Sequence, residues 1–98
     1  MDTQVQEADL RLDREVARLP LDVTTAIKWF MDENKITNSQ LADLLGVSRG
    51  RVTQILSGDE NLTLRTLASV AAALDAHFEV RLVGNEDARE AGRVLVDR

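Results

Sequence analysis

Apolar residues recur at helical spacing through most of this chain and switch to alternation near residue 77. In residues 3–19, Val5, Ala8, Leu12, Val16 and Leu19 fall on one stripe of an otherwise charged segment. Thr3 and Gln6 have the spacing of a capping box. Pro20 is expected to end this helix, because proline removes an amide donor and crowds the preceding turn. A single apolar stripe on a charged helix needs cover, from the core, a second subunit or another protein. Asp22 or Thr24 can cap the next helix, which runs to about residue 34 with Val23, Ile27, Phe30 and Met31 on its core face. Trp29 lies off that face. It is expected to touch the first helix or a partner, or to lie partly exposed over lysine stems.

Residues 37–58, TNSQLADLLGVSRGRVTQILSG, read as two short helices joined by a glycine turn. Leu41, Ala42 and Leu45 share one face of a helix at about 38–45, and Val52, Ile55 and Leu56 share one face of a helix at about 49–56. Gly46 allows a sharp turn, and Val47 is expected to tuck under both helices. Ser48 is placed to cap the second helix through the amide of Arg51, and Ser57-Gly58 stops it. After a polar loop at Asp59-Glu60-Asn61, Thr63 caps a further helix with Leu64, Leu67, Ala68, Ala71 and Leu74 facing inward. His77 to Val83 then alternates, with Phe78, Val80 and Leu82 on one face, as a strand of about seven residues would. A lone strand must pair its backbone somewhere. The simplest partner is the same strand of a second copy, antiparallel across a two-fold axis. The tail from Gly84 is charged, with a weak apolar cluster at Val94-Leu95-Val96, and no element is assigned to it.

The 98 residues suffice for one domain with one core, and 44% hydrophobic residues suit a folded chain. The absence of cysteine excludes disulfides, thiolate zinc sites and a cysteine nucleophile, and fits a reducing cytoplasm. No apolar run approaches a membrane span, and the acidic N-terminus lacks a secretory h-region. A net charge of −5 argues against a nucleic-acid partner until its distribution is considered. Residues 1–34 hold 8 acids and 4 bases, and residues 59–98 hold 8 acids and 5 bases. Residues 35–58 hold Lys35, Arg49 and Arg51 against Asp43 alone. The positive charge therefore coincides with the paired helices. The acidic flanks would weaken non-specific binding and tie affinity to correct docking.

The exposed face of the 49–56 helix carries Arg49, Gly50, Arg51, Thr53 and Gln54. A helix lying in the major groove turns its N-terminal residues toward base edges. Arginine can bond guanine O6 and N7, and glutamine can bond adenine N6 and N7, so Arg49 and Gln54 are the candidate base readers. Arg51 and Thr53 suit phosphates. The alternative for the two arginines is a solvated helix face with weak ion pairs, but no acidic residue falls within 48–56 to balance them. Asn38, Ser48, Ser57, Asn61 and Arg65 are the remaining candidate phosphate contacts. Ser57 and Asn61 have the alternative role of satisfying loop backbone.

On pattern alone these two helices suit any αα-corner. Thr37, Leu41-Ala42, Gly46-Val47-Ser48, Val52, Ile55 and Gly58 fall at the spacing of the Cro/repressor-like, or Xre, helix-turn-helix family, which residues 22–76 resemble. The resemblance implies a mostly α fold of four to five short helices, with the 77–83 strand following. It assigns base reading to the positions of Arg49, Gly50 and Gln54, and Gly50 departs from the family's usual polar residue. Asn38 stands where the family commonly has a backbone-touching glutamine. The strand resembles that of small antitoxin-type regulators in this family. The expected organisation is an N-terminal amphipathic helix at 1–21, the DNA-binding domain at 22–76, and a strand and tail at 77–98 for dimerisation or partner contact.

The leading expectation is a sequence-specific transcriptional regulator, a repressor acting as a homodimer on an inverted repeat of double-stranded DNA. The alternative is an antitoxin whose acidic N-terminal helix or C-terminal tail covers a basic toxin while the protein represses its own operon. A third reading is a structural αα-domain. The expected setting is cytoplasmic, bacterial or phage-encoded, and nucleoid-associated when bound to DNA. No enzyme, cofactor, metal or membrane partner is expected: His77 is the only histidine and sits on the polar face of the strand, and no phosphate loop or metal-ligand spacing occurs.

Overall fold

Four helices make up the regular structure of residues 3–58 and 62–85, which the computed structural model describes. They are α1 (Thr3–Glu33), α2 (Asn38–Leu45), α3 (Arg49–Leu56) and α4 (Leu64–Ala73). Ile27 and Met31 of α1, Leu41 and Ala42 of α2, Val52, Ile55 and Leu56 of α3, and Val70 and Leu74 at α4 form one buried cluster. α2 packs on α3 and α4, and α1 packs on α3.

The expected break at Pro20 does not occur: α1 runs through it without interruption. Proline there removes the amide that would bond the carbonyl of Val16, and Val16 is exposed, so water can take the place of that amide. Side chains bridge the gap. Arg18 donates to Glu15 at 2.6 and 3.1 Å on one side of Pro20 and to Asp22 on the other. The hydrogen bond from Arg18 holds the Glu15 carboxyl below the usual carboxylate range. That pairing is complete above this range and is lost as pH falls through the lowered value. Beyond Pro20, Val23 and Phe30 are half-buried against the core, and Thr24 is 2% exposed, its hydroxyl donating to the Leu21 carbonyl at 3.2 Å. The second half of α1 is thus fixed by packing, and the first half extends a helix already nucleated.

Two further expectations change. In α4, Leu67, Ala71 and Leu74 face inward as expected, but Leu64 is 85% exposed and Ala68 is exposed, and Val70 joins the buried side. Arg65, Thr66 and Ser69 mark the outer side of α4, and Leu64 is bare because it stands in the first turn, away from the cluster at Val70 and Leu74. Residues 77–83 form neither helix nor ladder among the described residues. Phe78 packs on the core, while Val80 and Leu82 are each 89% exposed. Trp29 is 64% exposed and borders a shallow groove with Phe30 and Phe78, on the same helix as the segment it was expected to contact. The loop at 59–61 and the tail from Glu86 lie outside the described residues, including the cluster at Val94-Leu95-Val96. No helix among the described residues is long and apolar enough to cross a membrane.

Pro20→Ala should raise helical circular dichroism and stabilise the fold by about 1–2 kcal/mol, because a helix-interior amide is restored. Urea unfolding measures this. A loss of stability would mean that the chain turns at Pro20.

Candidate nucleic-acid interface

The helix pair is built from its caps inward. Thr37 is in extended backbone (φ −88°, ψ 163°) and closes a capping box with Gln40. The Thr37 hydroxyl accepts from the Gln40 amide at 3.1 Å, and the Gln40 side chain accepts from the Thr37 amide at 2.8 Å. This box sets the first turn of α2 and leaves Asn38 exposed at its start. The signal lay in the sequence as Thr37-x-x-Gln40 and is additional to the residues expected there.

Gly46 ends α2 in left-handed backbone (φ 72°, ψ 33°), its amide donating to the carbonyls of Ala42 and Asp43. Val47 does not tuck under both helices as expected. It is 39% exposed, and its amide rather than its side chain ties the turn down, donating to the Ala42 carbonyl at 3.0 Å. Ser48 caps α3, accepting from the Arg51 amide at 3.0 Å.

α3 buries Val52, Ile55 and Leu56, and turns Arg49, Gly50, Thr53 and Gln54 to solvent, with Arg51 half-buried. Arg49, Gly50 and Gln54 therefore share one exposed face. A Cβ at Gly50 would meet only the Ser48 hydroxyl, at 3.8 Å. The fold itself does not require glycine there, so the bare position is a property of the surface. The hydroxyls expected at phosphates have intramolecular acceptors: Thr53 donates to the Arg49 carbonyl at 3.1 Å, and Ser57 to the Gln54 carbonyl at 2.8 Å. Each would have to exchange that acceptor for a phosphate oxygen. Arg65 is exposed in the first turn of α4, whose start is capped by Thr63 accepting from the Thr66 amide at 3.0 Å. Asn61 lies outside the described residues.

No group of side chains among the described residues could hold a metal ion. His77 is exposed, with Nε2 4.0 Å from a Glu79 carboxylate oxygen.

The family model described as helix-turn-helix matches residues 27–80, more than half of the chain. No curated protein and no solved structure matches it.

Two glycine substitutions separate backbone strain from space. Gly46→Ala meets nothing within 4 Å, yet should cost about 1 kcal/mol through its positive φ, and Gly46→Asn should cost less. Gly50→Ala should instead stabilise α3 by about 0.5–1 kcal/mol. Urea unfolding of the three variants tests the pair. An equal loss at Gly46 and Gly50 would contradict this account of the turn.

Proposed function

The chain belongs to the Cro/repressor-like helix-turn-helix family and is a DNA-binding transcription regulator, and from this premise we propose that it is a repressor that binds an inverted-repeat operator as a homodimer. The observation that carries the proposal is the exposed face of α3. Three buried aliphatic residues fix the helix from behind, while Arg49, Gly50 and Gln54 face outward in a segment without an acidic side chain.

In this reading α3 enters the major groove. Arg49 bonds a guanine edge and Gln54 an adenine edge. Gly50 lets the helix backbone approach the groove wall. Arg51, Arg65 and Asn38 hold phosphates on either side, with Ser48, Thr53, Ser57 and Asn61 as further contacts. The acidic remainder of a chain of net charge −5 repels phosphate except where α3 is docked, which favours the correct site over random DNA.

One α3 reads one half-site, so an inverted repeat calls for two copies with their recognition helices about 34 Å apart. Phe78, Val80 and Leu82 support a pairing of the 77–83 segments. Phe78 anchors the segment to the core, and the next two apolar residues are bare. Occupancy of the operator then excludes polymerase.

An operator selected from random duplexes by the purified protein allows the test. Arg49→Ala or Gln54→Ala should cost about 1–3 kcal/mol on the operator and relax the preference at one base pair per half-site. Arg51→Ala should weaken operator and scrambled duplex alike, and lower the salt slope by about one per subunit. Binding to both duplexes across a salt series distinguishes the roles. If Arg49→Ala weakens both equally with the preference intact, Arg49 is a phosphate clamp.

A further inference from the structure

Two apolar surfaces of this fold have no cover among the described residues. The first is a ridge on α1, where Leu12 and Val16 are 60% and 62% exposed and Leu19 is half exposed. The second adjoins it. α1 packs on α3 and not on α4, and between α1 and α4 lies an open trough of about 580 Å³. Leu19 and Val23 line its α1 wall, Leu64 and Ala68 its α4 wall, and Val80 its rim. A cleft continues from it between Leu12 of α1 and Leu82. The core covers Val70, Ala71 and Leu74 of α4 and leaves Leu64 and Ala68 beside them uncovered.

We infer that these surfaces cover each other in a second copy of this chain: the α1 ridge of one copy lies in the α1–α4 trough of the other, with Leu12 and Val16 against Leu64 and Ala68. The inference rests on the homodimer reading above and adds to the paired 77–83 segments a second surface that holds that dimer together. Three observations select a second copy as the occupant. Ridge and trough adjoin at Leu19, so one two-fold operation covers both surfaces in both copies. Leu12, Val16, Leu19, Leu64, Val80, Leu82 and Val83 are each about half or more exposed, and complete burial of that apolar surface would approach the roughly 800 Å² that a standard interface takes from each partner. The charges are also close to balanced. Around the ridge, residues 9–18 of α1 carry Arg11, Arg14 and Arg18 against Asp9, Asp13 and Glu15, with Arg18 paired to Glu15 and Asp22 within the chain, and Glu79 and Arg81 of the trough offset each other. Two copies of a chain of net charge −5 therefore meet here with little like-charge repulsion.

The chain contains no cysteine, so introduced thiols report on the interface directly. Full-length Val16→Cys and Leu64→Cys variants, mixed and treated with a short bis-maleimide, should yield a cross-linked pair containing one chain of each. Sedimentation equilibrium should give a dimer for the wild type. Leu12→Glu combined with Val16→Glu should raise the dimer dissociation constant by at least about 100-fold, since two apolar side chains per copy are lost from the seam. Neither residue belongs to the core, so cooperative unfolding should persist. If that variant fails to fold, the cross-linking decides alone. A double variant that dimerises as tightly as the wild type, or a mixture without the mixed cross-link, overturns the ridge-in-trough arrangement and leaves the dimer to residues 78–82. A monomeric wild type at tens of micromolar (roughly, well above the dissociation constant of a specific dimer) overturns the homodimer reading as well, and leaves the face to an unrelated protein, as the antitoxin alternative requires.

Discussion

Helices of eight residues do not persist alone in water, because nucleation costs more than two turns return. Both helices of the DNA-reading unit have eight residues. They exist because Leu41, Val52 and Val70, each fully buried, meet in one cluster to which α2, α3 and α4 contribute. That contact fixes the rotation of α3 about its own axis. With Val52 and Ile55 held inward, Arg49, Gly50 and Gln54 have only the outward face available. In the proposed reading, a core substitution such as Val52→Ala would therefore act on DNA recognition through geometry, without removing any side chain assigned to DNA.

The caps supply what burial leaves open. Thr37, Ser48 and Thr63 each accept from an amide of the first turn that follows, and each is in extended backbone. Gly46 between the first two caps supplies a left-handed residue that other types adopt only with strain. Rigid placement follows from several local bonds around the turn together with one shared core.

How much of this was legible in the sequence depended on how one-sided each segment is. Leu41, Ala42, Val52, Ile55 and Leu56 stand out because polar residues surround them, and all five are buried. In α4 the pattern marks the inward side at Leu67, Ala71 and Leu74, but not that its edge at Leu64 and Ala68 lies beyond what α2 and α3 cover, which no local pattern records. Pro20 misleads for a related reason. Its helix-breaking cost is local, whereas the packing of Val23 and Ile27, and the bridge from Arg18 to Glu15 and Asp22, act on either side of it. The alternation at 77–83 is legible as a pattern, but a ladder needs a second strand, and a single chain supplies none among the described residues. The residues proposed to read bases, Arg49, Gly50 and Gln54, were legible as exposed positions of α3. The hydrogen-bond states of Thr53 and Ser57 depend on the helix backbone beneath them.

The misread segments are also the ones with apolar surface left over. Leu64 and Ala68 are bare at the edge of the side that Val70, Ala71 and Leu74 bury, and Leu12 and Val16 are bare because α1 continues past Pro20 beyond the reach of α3. A pattern that demands more burial than one chain provides is information about assembly. In the proposed dimer, which would read one half-site per copy, leftover apolar surface and the need for a second copy have the same resolution. The proposed association through α1 and α4 would leave the exposed face of α3 free, because the trough includes neither Arg49, Gly50 nor Gln54.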